Sequence, residues 1–317
     1  MSSAPRRIVV TGVAGFIGSN LAARLVGEGY RVTGIDDLSQ GILEQVPTEV
    51  ELHRLDVRST AIYSLFPGAD AVFHLAAKNC IPDCQREPAA AVSVNISGTI
   101  NVFEAARLAG VARVIYAESS ALYEGVTQFP TPEDVVAPRS IYALTKQADA
   151  QFAEAYARFY GMSFTALRYF CVYGPHQDYR RTVPPVMSAF IIRLLRGERP
   201  IIYGTGEKRR DFIYVDDVND FHVQCLMDRR TCGGTFNVGS GRDHSVNEIL
   251  QEIQGLLGTA VTPRHAPDQP GEAERTCADI RRVQALGWQP RVSLRDGLLR
   301  SIAYLREHVV GGTVVSA

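Results

Sequence analysis

The chain has 317 residues, of which 46% are hydrophobic and 21% charged, with a formal net charge of -1. That is the make-up of an ordinary globular protein with room for one large domain and a smaller one. The near-neutral balance gives no reason to expect a nucleic-acid or acidic-membrane partner. No stretch approaches the roughly 18–20 apolar residues of a membrane span. Met1 to Arg7 runs into a strand with no apolar signal region, so a cytoplasmic protein is expected. The six cysteines, Cys80, Cys84, Cys171, Cys225, Cys232 and Cys277, show no paired metal spacing. Free thiols in a reducing compartment are expected, and no metal.

Ile8-Val-Val-Thr11 is a short apolar run that reads as a buried parallel strand. It ends at Gly12-Val-Ala-Gly15-Phe16-Ile17-Gly18. Ile17, Leu21, Leu25 and Val26 then repeat at helical spacing until Gly27 and Gly29 stop the helix. Arg31 to Ile35 is the second predicted strand, and Asp36 stands at its end. A β-α-β unit with a glycine-rich turn and an acid about twenty residues on is the dinucleotide fingerprint. Gly12, Gly15 and Gly18 would let the backbone meet a pyrophosphate at a helix N-terminus. Asp36 would accept hydrogen bonds from the adenosine ribose and repel a 2′-phosphate, so NAD is favoured over NADP.

The alternation continues. Predicted strands are Ala71–Leu75, Arg113–Ala117 and Ser163–Tyr169, and predicted helices are Asn95–Leu108 and Ile141–Tyr160. This rhythm implies an α/β fold, a doubly wound parallel Rossmann sheet. After Gly174-Pro175 it breaks into proline-bearing segments with a helix near Met187–Leu195. A late strand, Thr235–Val238, could rejoin the sheet, so a smaller domain is expected to be interleaved with the first.

Tyr142 and Lys146 are one turn apart on a predicted helix and share a face. An ammonium there would pull the phenol down from about 10 toward the working range, making Tyr142 a base.

With these residues assembled, the chain resembles the extended short-chain dehydrogenase/reductase family, within it the nucleotide-sugar 4-epimerases. The matching pieces are TGVAGFIG at Thr11–Gly18, DDLSQG at Asp36–Gly41, LDVR at Leu55–Arg58, HLAA at His74–Ala77, VNISGT at Val94–Thr99 and YALTK at Tyr142–Lys146. RYF-VYGP at Arg168–Pro175, RRDFIYVDD at Arg209–Asp217 and FNVGSG at Phe236–Gly241 also fit. The resemblance implies an NAD site made by the glycine turn with Phe16 and Ile17, by Asp36, Asp37, Leu38, Ser39 and Gly41, and by Asp56 and Val57 at the adenine. Leu75, Ala76, Ala77, Lys78, Asn95, Tyr142, Lys146 and Tyr169 would complete it around the pyrophosphate and nicotinamide ribose. Tyr142, Lys146 and Ser119 would be catalytic, with Ser120 the alternative hydroxyl.

A UDP-sugar would meet Asn79, Ser119, Ser120, Tyr142, Cys171, Val183, Tyr203, Arg210, Gln269, Glu272 and Thr276. Cys171 and Gln269 replace an asparagine and an arginine that support the diphosphate in most members, and Glu272 replaces an aspartate at the ribose. The small Thr276 leaves room for an N-acetyl group. The implied division is 1–168 plus about 210–240 for NAD, with about 169–209 plus 241–317 for the nucleotide sugar. The implied reaction is C4 epimerisation of a UDP-hexose through a 4-keto sugar, in a homodimer paired through the helices at Asn95–Leu108 and Ile141–Tyr160, whose faces carry Ala105, Ala106, Ala148, Ala150, Ala153, Ala155 and Ala157. Alternatives are a 4,6-dehydratase, a UDP-glucuronate epimerase or decarboxylase, or a non-catalytic NAD-bound regulator. The dehydratases and decarboxylases place acids just after the catalytic hydroxyl, where this chain has Ser120 and Ala121. Glu118 lies one residue before it and should point to the other side of the strand.

Overall fold

The computed structural model describes residues 6–181, 183–268 and 273–311; Gln269 and Glu272 lie outside them. The first half runs β1 (Arg7–Thr11), α1 (Phe16–Gly27), β2 (Arg31–Asp36), β3 (Glu51–Arg54), β4 (Ala71–His74), α2 (Ile81–Arg86), α3 (Pro88–Val92), α4 (Gly98–Leu108), β5 (Arg113–Ser119), α5 (Ile141–Tyr160) and β6 (Ser163–Tyr169). The second half follows with β7 (Cys171–Tyr173), α6 (Val186–Leu195), β8 (Ile201–Tyr203), β9 (Arg209–Tyr214), α7 (Val215–Met227) and β10 (Thr235–Val238). The chain closes through β11 (Asp243–Ser245), α8 (Val246–Leu257), β12 (Arg264–Ala266), α9 (Arg281–Ala285) and α10 (Leu294–Leu305).

Seven strands form one sheet in the order β10-β6-β5-β4-β1-β2-β3. Every pairing in it is parallel. A parallel sheet is covered on both faces, which is why its strands read as unbroken apolar runs. Ile8 and Val10 face one layer with Leu21, Leu25 and Phe221 of α1 and α7. Val9 faces the other, with Val102 and Phe103 of α4 and Ala153 of α5. The chain leaves β1 toward β2 on one side and β4 on the other, and ligands of such sheets sit beyond the strand ends at that switch point.

A second lobe has its own core, in which Phe190 and Ile191 of α6 meet Phe212 of β9, Ile249 and Ile253 of α8, and Leu298 of α10. Two small sheets, β11-β9-β7 and β12-β8, carry it. Buried carboxylates join its segments. Asp211 accepts from the backbone N–H of Ser240 (2.7 Å), Gly241 (2.9 Å) and Ala278 (3.0 Å). Asp217 accepts from Arg291 N (2.8 Å) and Val292 N (3.1 Å). An anion without water is tolerable only with such donors, so these aspartates fix where the distal segments lie.

Two expectations change here. The helix expected from Asn95 begins instead with a π-turn over Ser93–Ser97, and α4 proper starts at Gly98. Of the alanines expected to admit a second copy, Ala105, Ala106 and Ala153 are spent against the sheet. No helix among the described residues is long and apolar enough to cross a membrane.

Candidate active site

A cleft of about 450 Å³ opens at the carboxyl ends of β1, β2 and β4. Its floor is the turn from β1 to α1. Gly12 has φ +70°, and a Cβ there would lie 2.7 Å from Ala76 N. A Cβ on Gly18 would lie 2.0 Å from Gly12 O, so neither position admits a side chain. Gly15 is the N-cap of α1, and no side chain caps that end. Bare backbone N–H groups and the positive end of the helix therefore meet the cleft.

Asp36 Oδ2 accepts from Ala14 N and Oδ1 from Leu38 N, both at 2.9 Å. Each oxygen keeps a lone pair for one of two vicinal hydroxyls. Burial raises this carboxyl above its ordinary value, and the two backbone donors pull against that. A cradle with no side chains, an uncapped helix end and an acid beside it fit the pyrophosphate and ribose of a dinucleotide.

The side chains expected to be catalytic come from β5 and α5. Three groups clamp the start of α5. Ser140 Oγ accepts from Ala143 N (3.1 Å). Glu124 accepts from Arg139 N (3.0 Å), Ser140 N (2.7 Å) and Ser140 Oγ (2.7 Å). Gln85 Oε1 accepts from Ile141 N (3.0 Å). The next residue is Tyr142, 9% exposed, whose phenol lies near enough to Ser119 for that hydroxyl to draw its proton off. Ser119 Oγ in turn accepts from Ala121 N (3.1 Å), which leaves its own proton to donate. Lys146 is fully buried and its Nζ donates to Asp149 Oδ2 at 3.0 Å.

Burial raises the Tyr142 phenol above its ordinary value, while the Lys146 charge and the Ser119 hydrogen bond pull it down without overcoming that. Lys146 thus acts on the phenol in the expected direction, and burial outweighs it. The ammonium is shared with Asp149, whose own charge raises the phenol. Burial pushes the Lys146 ammonium down, but Asp149 and Tyr142 more than offset it.

A model of the NAD dependent epimerase/dehydratase family matches residues 8–239. The chain belongs to that family. NAD is accordingly its cofactor, in agreement with the glycine cradle and Asp36. The chain is 35% identical over 313 residues to the UDP-glucose 4-epimerase of Mycolicibacterium smegmatis, covering 95% of this chain and 98% of that one. It is similar to the UDP-glucose 4-epimerase of Thermotoga maritima, solved with UDP-glucose, at a TM-score of 0.92 and 34% identity over 95% of this chain and 99% of that one. The UDP-N-acetylglucosamine 4-epimerase of Methanobrevibacter ruminantium, solved with UDP-N-acetylmuramic acid, gives 0.93 and 29% over 97% and 100%.

In this epimerase/dehydratase family member the cleft wall brings together Gly12, Gly15, Phe16, Ile17, Gly18, Asp36, Asp37, Ser39, Gly41, Asp56, Val57, Leu75, Ala76, Ala77, Lys78, Asn79, Tyr142, Lys146 and Tyr169. Leu38 serves from behind through its N–H to Asp36. Asn95, in the π-turn, accepts from Lys78 N (2.7 Å) and donates to Lys78 O (3.0 Å), so it shapes the wall without forming it. The Lys78 ammonium pairs with Glu87.

Ser119 and Ser120, at the end of β5, and Cys171, Val183, Tyr203, Arg210 and Thr276 are not in this wall. Three of them gather on β9. Cys171 pairs with Phe212, Arg210 lies in the strand, and Thr276 N donates to Arg209 O (3.1 Å). Tyr203 ends β8 with 38% of its surface exposed, and Val183 is half-buried ahead of α6.

Sequence reasoning missed several wall residues, among them Gln40, Arg58, His176, Arg180 and Arg181. Arg180 Nη2 donates to Gln40 O at 2.6 Å, tying the loop after β7 to the loop after β2. The basic doublet after Gly174-Pro175 was the available signal. Glu118 is buried, accepting from Arg168 Nε (2.6 Å) and the Tyr116 hydroxyl (2.8 Å).

Proposed function

We propose that this chain interconverts the C4 epimers of a UDP-hexose, UDP-glucose and UDP-galactose first and their N-acetyl counterparts next. The observation that carries the reading is that Tyr142 and Lys146, one helical turn apart, both stand in the wall of the dinucleotide cleft. Bound NAD supplies a hydride acceptor and donor at its nicotinamide. Ser119 donates a hydrogen bond to the sugar O4 and holds that oxygen at the phenol. Tyr142 removes the O4 proton and returns it to the same oxygen after the sugar has turned, so no net proton is consumed. Lys146 stabilises the phenolate and reaches the nicotinamide ribose. Phe16, Ile17, Leu75, Ala76, Ala77 and Tyr169 line the cofactor, and Asp56 and Val57 flank its adenine. Arg210, Thr276 and Cys171 receive the UDP portion from the second lobe, with Tyr203, Val183 and Asn79 around it.

Dehydration and decarboxylation fit less well. Ser120 and Ala121 follow the catalytic hydroxyl and carry no acid, and Glu118 is tied to Arg168 and Tyr116. The same reading places the protein in the cytoplasm, where its free thiols persist, and makes it a homodimer through α4 and α5.

The test is to incubate the purified protein with UDP-glucose, UDP-GlcNAc and UDP-glucuronate and separate the products by anion exchange. A C4 epimer is expected without added coenzyme, and Tyr142→Phe should slow its formation by about 10²–10⁴-fold. Recovery of every nucleotide unchanged, with NAD bound, overturns the reading.

A further inference from the structure

Asp149 is a buried acid in the middle of a helix. It sits inside α5, where alanine is the better helix former, and its side chain is 1% exposed. A carboxylate so buried costs several kcal/mol unless it is paired. Its ion-pair partner is Lys146, i,i+3 on the same helix, at 3.0 Å and 2% exposure.

The other titratable groups around the pair do not substitute for Asp149. From β5, Glu118 is committed to Arg168 of β6 and to Tyr116. From β4, His74 is pushed down to about 3 by burial and by Lys146, so it is neutral. From α2, burial pushes the Cys84 thiol up to about 11, and burial holds the Tyr116 and Tyr169 phenols far above their ordinary values. The Thr99 hydroxyl of α4 donates to Asn95 O and meets His74 Nε2, and it also draws the Asp149 carboxyl down. Lys146 therefore stands between Asp149, whose carboxyl is raised by burial and drawn back by the Lys146 charge, and the transient anion of the Tyr142 phenolate.

We propose that Asp149 is a positioning residue of the Tyr142–Lys146 pair: it anchors the ammonium inside the sheet-facing side of α5 and shares its charge, so that Lys146 supports the phenolate only in part. This rests on the reading of Tyr142 as the base. An ammonium has three donors. With one fixed on Asp149, the direction of the other two is set before any ligand arrives, and Lys146 does not swing with it. The field at Tyr142 is then that of an ion pair rather than of a lone cation, which keeps the phenol protonated to higher pH.

The experiment is a tyrosinate absorbance titration of the NAD-containing enzyme, wild type and Asp149→Asn, each read against its Tyr142→Phe counterpart. The pH profile of kcat on UDP-galactose is measured alongside. In Asp149→Asn the first proton should leave the Tyr142–Lys146 pair at a pH lower by roughly one unit, and the acid limb of kcat should move with it. An unmoved titration, whether or not activity falls, overturns the proposal and leaves Asp149 a packing residue. If Asp149→Asn does not fold, Asp149→Glu keeps the charge on a longer arm and displaces the ammonium. Its titration should then differ from wild type, and identity at every pH overturns the proposal. Because the absorbance needs no turnover, failure of the epimerase reading shows separately, as unchanged sugar nucleotides with a normal Tyr142 titration.

Discussion

At Tyr142 two influences of opposite sign meet: burial holds the proton on, and Lys146 with Ser119 draws it off. Asp36 works by position instead. Its carboxylate, held by Ala14 N and Leu38 N, is aimed where two ribose hydroxyls would lie and where a third phosphate would be repelled. Asp36→Ala should weaken NAD binding by about 1.5–3 kcal/mol, roughly ten- to a hundredfold in Kd, while NADP binding changes little or improves. Calorimetric titration of the two coenzymes reads this, and an unchanged NAD affinity would contradict the assignment. Residues of this kind were legible because the chemistry demands their type: a glycine where a Cβ would strike Gly12 O, an acid at a strand end, a tyrosine and lysine one turn apart. Asp149, Glu124 and Arg180 were not. They act through another residue or through backbone, and many side chains could stand in those places.

Among the elements, the apolar strands β1, β4, β5 and β6 and the long helix α5 announced themselves by uninterrupted or helical hydrophobic spacing. β3 did not, because Glu51-Leu-His-Arg54 is a polar edge strand with one neighbour. β7, β8, β11 and β12 have three residues each, too few to show any period. The π-turn at Ser93–Ser97 has no signature in composition, yet it is what brings Asn95 onto the Lys78 backbone. One helix start was readable and passed over. Ser245 and Glu248 form a reciprocal capping box at α8.

Across the whole molecule, the return of Thr235–Val238 to the large sheet was visible as a late apolar run. The carboxylates Asp211 and Asp217, which hold the segments after it in place, were quoted in a motif without that role. The proposed dimer belongs to this scale. Leu144, Phe152 and Phe159 of α5 leave 47%, 37% and 75% of their surface exposed, an apolar face left open among the described residues. Sedimentation should give twice the mass of one chain, and Leu144→Glu with Phe152→Glu should reduce it to one while the far-ultraviolet dichroism stays unchanged. A monomer in the unmodified protein would contradict the dimer.

The most direct test of the account follows the hydrogen on the sugar carbon. UDP-galactose carrying deuterium at C4 is converted in ordinary water, and the UDP-glucose formed is examined by mass spectrometry and proton NMR. If one buried site lifts that hydrogen as hydride and sets it back, the label stays at C4 in the product. Wash-out of deuterium into solvent would mean that Tyr142 or another base takes a proton from carbon, and the chemistry assigned to this cleft would be wrong.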